Sequence, residues 1–345
     1  PPSEAAARII EALNLLPTHA VGHTSQARPE TAQEAWEHGQ GLRAQGRLLE
    51  AVLAYERAIA LEPHNRAFWN SKGTALRDFH YPSEALAAYD QALGLDSTYA
   101  HAWNGKGNAL RDLRRPTEAL EAFSRARALK PDHVPALNGS GNALRDLRKP
   151  HEALALFREA IRLDKTYAYA WNGQGNALRD IAKYDASQQM ALREEALLSF
   201  DQAISLKPNY GYAWNGRGNA LRDLKQPQEA LVAYEQALKI DPRLAVAWNG
   251  RGNALRDLGR GFEAFAAFEH ALALDPQYAY PWNGKGNVLR DSRQYEEALA
   301  AYDKAIALDP CISNPWHNKI MLLKELGRDA EGEATQQKRA AVKGC

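Results

Sequence analysis

Trp171-Asn172-Gly173-Gln174-Gly175-Asn176-Ala177-Leu178-Arg179-Asp180 is one of four complete copies of the phrase W-N-G-x-G-N-A-L-R-D. The others start at Trp103, Trp214 and Trp248. Near-copies start at Trp69 (WNSKGTALRD), Leu137 (LNGSGNALRD) and Trp282 (WNGKGNVLRD). The steps from 69 to 103, 137 and 171 are 34 residues each. The step to 214 is 43, and those to 248, 282 and 316 return to 34. Self-similarity at this period predicts stacked supersecondary units, each touching only its neighbours. It moves the functional question from a pocket to a continuous surface.

With tryptophan at position 4, the units run 32–65, 66–99, 100–133, 134–167, 168–210, 211–244, 245–278 and 279–312, and a degenerate ninth occupies 313–345. Apolar residues recur at helical spacing twice per unit. In the third, Trp103, Gly107 and Leu110 mark one face of a helix A, while Ala119, Leu120, Phe123, Ala126 and Leu129 mark one face of a helix B. Small residues against large ones suit close packing. Pro82, Pro116, Pro150 and Pro227 fall at position 17, the first turn of helix B, where a missing N–H is harmless. Glu84, Glu118, Glu152 and Glu229 follow two residues later, near the positive helix end. Pro63, Pro131, Pro208, Pro242, Pro276 and Pro310 terminate helix B.

Trp248, Gly252, Ala264, Phe268, Ala271 and Pro276, and their equivalents in the other units, resemble the tetratricopeptide repeat. The likeness extends over about residues 32–327 as a near-consensus tandem array of the bacterial type. It implies an all-α, right-handed α-solenoid, a superhelix of stacked antiparallel helix pairs with helix A on the concave face. It also implies peptide or protein binding without catalysis.

In that family, ligand contacts fall at positions 2, 5, 9, 12, 13 and 34. Here position 5 is Asn70, Asn104, Asn138, Asn172, Asn215, Asn249 and Asn283. Position 9 is Thr74, then Asn108, Asn142, Asn176, Asn219, Asn253 and Asn287. Positions 12 and 13 are Arg-Asp from the second unit to the eighth, the arginines being Arg77, Arg111, Arg145, Arg179, Arg222, Arg256 and Arg290. Tyrosine recurs at position 2 (Tyr169, Tyr212, Tyr280) and at position 34 (Tyr99, Tyr167, Tyr210, Tyr278). Positions 5, 9 and 13 stack on one helical face. Asparagine is a poor helix former, so two per helix suggest a demand beyond helix formation. An amide complements a peptide bond, and arginine offers a fork for carboxylate. Two readings stand: the polar set clasps an extended or acidic partner segment, or it bonds one unit to the next. Sameness along the array excludes reading of a varied sequence.

The lattice departs from itself in three places. Unit 1 has Trp36, Gln40, Arg43 and Ala44 at the polar positions, and the ninth has Ile320, Gly332 and Lys324-Glu325. Both fit capping ends. Nine extra residues near 182–193 predict that helix B of unit 5 starts about two turns early, after an N-cap at Asp185. Residues 1–31 read as an amphipathic helix over about 3–16 followed by a linker. The turns between helices A and B are basic at Arg114-Arg115, Arg148-Lys149 and Lys225.

Composition narrows the function classes. Apolar residues make up 45% of the 345, and the formal net charge of +1 does not advertise nucleic acid or an anionic membrane. Ten scattered histidines and two cysteines form no metal spacing, so no metal, no cofactor and no enzymatic activity are expected. Cys311 and Cys345 do not suggest a disulfide framework, which points to a reducing, cytoplasmic setting. The expected function is a protein-interaction scaffold, with a protein or peptide segment as partner and a fused or operon-encoded effector domain as a second. The alternative is a structural spacer or self-assembly module. Sequence-independent binding of single-stranded nucleic acid is the weakest reading.

Overall fold

The structure is a computed structural model that describes residues 31–342; the helix and linker expected over 1–31 fall outside it except for Thr31. The described residues form eighteen α-helices and no strand. The chain divides into two bodies, Pro1–Asp164 and Lys165–Cys345. The first holds α1 (Ala32–Ala44), α2 (Leu48–Leu61), α3 (Arg66–Asp78), α4 (Pro82–Leu95), α5 (Ala100–Asp112), α6 (Pro116–Leu129), α7 (Val134–Asp146) and α8 (Pro150–Leu163). The second holds α9 (Ala168–Ala182), α10 (Gln189–Leu206), α11 (Gly211–Asp223), α12 (Pro227–Ile240), α13 (Ala245–Asp257), α14 (Gly261–Leu274), α15 (Ala279–Asp291), α16 (Tyr295–Leu308), α17 (Ser313–Glu325) and α18 (Asp329–Ala340). Each repeat is one helix pair.

Proline opens α4, α6, α8 and α12 at their first turn, as their position in the repeat requires. Thr31 caps α1 in a reciprocal box with Glu34, so the linker ends in a helix signal. Outside repeat 5, helix A ends in a Schellman motif. In α5 the Arg115 N–H donates to Leu110 O and the Arg114 N–H to Arg111 O, both at 2.9 Å. The residue at position 15 then needs a left-handed backbone. Glycine supplies it at Gly46, Gly259 and Gly327, but His80, Arg114, Arg148, Lys225 and Arg293 adopt it with φ between 59° and 65°.

The aromatic residue at position 24 holds successive repeats together. The Phe123 ring lies against Gly107 of its own repeat and Gly139 of the next, where built β-carbons would come within 2.7 and 2.4 Å. This ring is thus seated on the second glycine of its own G-x-G and the first glycine of the next, so the two glycines of one phrase serve two different rings. The tryptophans also brace the turns. The Nε1 of Trp103 donates to Ser97 O at 2.8 Å, and that of Trp214 to Pro208 O at 2.9 Å. Each pins the turn that precedes its helix.

In repeat 5 the added residues are shared out. Helix α9 runs to Ala182, two residues past Asp180, and α10 begins at Gln189, one turn ahead of the usual position 17 at residue 193 rather than two. Asp185 does not cap α10. Its Oδ1 accepts from the Ser187 and Gln188 amides at 3.1 and 3.2 Å, closing a turn that uses up the remaining length. Cys311 is disulfide-bonded, which the expectation of a reducing setting did not foresee. Spacing along the sequence does not say which sulfurs a fold brings together.

Candidate functional site

The A helices carry positions 5 and 9 one turn apart, and all thirteen asparagines named above are partly or wholly buried. At position 5, the Oδ1 atoms of Asn104, Asn138, Asn172, Asn215 and Asn249 are buried with no hydrogen-bond partner. These residues keep part of their surface exposed, so the exposed part excludes the oxygen. Asn172 Nδ2 donates to the Tyr210 hydroxyl at 3.4 Å, and Asn249 bonds Tyr278 in the same way. Burial pushes both tyrosine hydroxyls above the ordinary phenol range. Position 34 therefore orients position 5, a coupling the sequence reading missed although both residues recur together.

Asn283 differs. Its Oδ1 accepts from Asn318 Nδ2 at 2.9 Å, and the same nitrogen reaches Asn287 Oδ1 at 3.0 Å. Asn318 stands at position 6 of the ninth repeat, where the third to eighth repeats have glycine. A side-chain amide there supplies the donor that the other position-5 oxygens lack.

Position 9 is largely committed inside its repeat. Asn176 and Asn253 donate Nδ2 to the carbonyls of Asn172 and Asn249 at 3.0 Å, and Thr74 Oγ1 donates to Asn70 O at 2.9 Å. Where position 24 is tyrosine, its hydroxyl donates to the amide oxygen: Tyr234 to Asn219 at 2.8 Å and Tyr302 to Asn287 at 2.9 Å. Asn108 and Asn142 lie half-buried on the same face.

The arginines reach along the array. In the first body Nε of Arg43, Arg77 and Arg111 meets Asp78, Asp112 and Asp146 of the following repeat at 2.8, 3.4 and 2.8 Å. In the second, Arg179, Arg222 and Arg256 meet Asp223, Asp257 and Asp291 at 2.7, 2.9 and 3.5 Å. Arg145 is half-buried at the end of α7, and Arg290 approaches its own neighbour Asp291 at 3.6 Å. The unit-to-unit reading of Arg-Asp thus matches the geometry. Each such pair is worth only about 0–1 kcal/mol, since the groups remain partly solvated. A second row of inter-repeat pairs joins position 7 to position 25 of the preceding repeat, as in Lys106–Asp90 and Arg217–Asp201, both 2.7 Å. The signal was present in the variable letter of G-x-G: position 7 is Ser140 where the preceding position 25 is Ser124.

Position 2 is the most exposed of the proposed contacts. Tyr169, Tyr212 and Tyr280 are 39%, 56% and 50% exposed, so each offers a ring edge to solvent. Tyr169 lies 5.0 Å from the Tyr210 ring, and its hydroxyl accepts from Lys207 Nζ at 2.6 Å. Tyr280 lies 5.7 Å from Tyr278. The first body carries His101 and His133 at the equivalent places, ring nitrogens 3.3 Å apart. Burial, then the neighbouring His101, pushes the His133 imidazole down. Among the described residues no group of three histidine, cysteine or acidic side chains is placed to hold a metal, and no helix is long and apolar enough to cross a membrane.

No curated protein sequence matches the chain. Among solved structures it is similar to a chain of the APC/C hetero-tetramer Cut9-Hcn1, with a TM-score of 0.68 and 14% identity over 93% of this chain and 59% of that one. This chain therefore spans about three fifths of that relative's length. It is also similar to a tetratricopeptide repeat protein from Parabacteroides merdae ATCC 43184, with a TM-score of 0.57 and 18% identity over 75% of this chain and 98% of that one. These likenesses show the fold. Sequence comparison matches the tetratricopeptide repeat over residues 37–79, 72–134, 139–187, 211–244, 245–278 and 279–310. On those spans, and on paired helices whose packing residues recur at fixed positions, the chain belongs to the tetratricopeptide repeat family.

Proposed function

We propose that the asparagine-bearing face of each body binds an extended segment of a partner protein through that segment's backbone, without catalysis. The observation that carries this reading is the position-5 oxygens buried without a donor in each body, Asn104 and Asn138 in the first and Asn172, Asn215 and Asn249 in the second. An unpaired buried acceptor costs about 1–3 kcal/mol, and a row of identical ones is an expensive way to build a surface that binds nothing. An amide that turns about its last torsion accepts from a peptide N–H and donates to a peptide C=O. The Asn318 amide, bonded to Asn283 and Asn287, supports amide-to-amide pairing as the chemistry that completes such a site. The exposed Tyr169, Tyr212 and Tyr280 rings add contact area at small entropic cost. The arginines are already paired along the array, so their part is to shift from aspartate to an acidic ligand group rather than to wait unpaired.

The test is a display selection of unstructured peptides on the intact array, followed by calorimetry of the best peptide. Asn172→Ala, Asn215→Ala and Asn249→Ala together should abolish binding with the helical circular dichroism unchanged. N-methylation of alternate peptide amides should do the same, whereas scrambling the side-chain order should matter little. Full affinity in the triple variant would end this reading.

A further inference from the structure

Helix α10 carries a cation, Arg193, at a position where the other repeats have none. At its edge lies a cleft of about 490 Å³ lined by Arg193, Arg222, Asp223, Lys225, Pro227 and Asp257. The carboxylates in its wall are already matched: Asp223 accepts from Arg179 Nε at 2.7 Å, and Asp257 from Arg222 Nε at 2.9 Å. Among the described residues, Arg193 and Lys225 have no acidic partner within ion-pair distance, so the cleft carries two uncompensated positive charges. We propose that it binds a pair of carboxylates on an acidic segment of a partner protein.

The sequence of repeat 5 supplies the first of these cations. Arg193 occupies position 17, which is proline in Pro82, Pro116, Pro150 and Pro227 because it is the first residue of helix B there. Starting α10 at Gln189 moves the helix start one turn back and places Arg193 inside the helix. No other repeat has a cation at this position. Lys225 lines the same cleft from a left-handed turn, φ 64°, at a place where the next repeat has Gly259. The two cations thus come from different repeats and converge on one cleft.

The charge count selects the ligand. Two free cations beside paired aspartates suit two localised carboxylates, which a guanidinium fork engages in bidentate fashion. The site does not depend on the asparagine face, so it stands or falls separately from the function proposed above.

The experiment titrates the full chain into fluorescein-labelled hexaglutamate, reading anisotropy at about 20 mM and about 300 mM salt. The wild type should bind at low salt and lose most of its affinity at high salt. Arg193→Ala with Lys225→Ala should weaken binding about tenfold or more. Arg114→Ala with Arg148→Ala, which removes two exposed turn cations of the other body, should leave binding unchanged, as should the triple asparagine variant. Circular dichroism checks that each variant stays helical. Equal binding by the Arg193/Lys225 variant overturns the proposal, as does loss of binding in the asparagine variant alone. Tighter binding of a single-stranded oligothymidine, of anionic vesicles or of inorganic phosphate than of hexaglutamate also overturns it.

Discussion

A β-carbon built on Gly250 would stand 2.3 Å from Cε1 of Tyr234, the position-24 aromatic of the preceding repeat. The same ring approaches Gly218 of its own repeat at 2.7 Å. One ring thus fills the seam between two helix pairs. Because the neighbouring backbone is a helix, neither side yields easily, and overpacking costs typically about 1–3 kcal/mol. Gly250→Ala should lower stability by that amount. Gly94, in α4, has nothing within 4 Å of its would-be β-carbon. Gly94→Ala should stabilise by roughly 0.5–1 kcal/mol, since alanine is the better helix former. Guanidinium denaturation followed by circular dichroism should move the two midpoints in opposite directions.

The Arg222–Asp257 pair gives a second prediction. Both side chains are about a third exposed or less, at 26% and 35%, so solvent still screens them. A double-mutant cycle with Arg222→Ala and Asp257→Ala should yield a coupling of about 0.2–1 kcal/mol. It should shrink further in about 1 M salt, where the screening length falls to about 3 Å. A coupling of several kcal/mol would contradict this assignment.

The tyrosines set the alkaline limit. Burial pushes the Tyr234 and Tyr302 hydroxyls up to about 12, opposed by Arg222 and Arg290 respectively. An unfolded chain titrates tyrosine near pH 10. The folded state therefore holds these protons more tightly, and stability falls as pH rises from about 10 towards about 12. Tyr234→Phe should flatten part of that fall. At neutral pH it should destabilise by about 1–3 kcal/mol, because the Asn219 oxygen loses its donor. Melting temperature measured against pH for both proteins checks the sign.

Tryptophan offers a comparison within one chain. Trp214 donates to Pro208 O at 2.9 Å, while the Trp282 indole nitrogen is buried without a partner. Replacement by phenylalanine removes a satisfied donor in the first case and an unsatisfied one in the second. Trp214→Phe should therefore cost about 1 kcal/mol more than Trp282→Phe in equilibrium unfolding. Equal costs would mean that the indole bond to the turn adds nothing.

Much of this architecture was legible in the phrase Trp171–Asp180. Its period sets the repeat, and a 3.6-residue helix then places Asn172, Asn176 and Asp180 on one stripe whatever the neighbours do. The helix ends were legible too, because proline and the residues before it act locally. The length of α10 was not. Good helix formers near Met190 suggested two extra turns, but a turn closed by Asp185 took up half of them. The basic turns were legible as charges alone, whereas Arg114, Arg148 and Lys225 lie in a left-handed backbone set by the Schellman motif. Periodicity assigns a side chain to a face and stops there. Only the stacked structure shows that Arg222 leans along the array to Asp257, and that Asn215 keeps an oxygen buried with no donor. The reason is distance: the spacing between neighbouring helices decides which groups meet, and that spacing comes from rings such as Tyr234 seated on glycine, contacts that no single repeat contains.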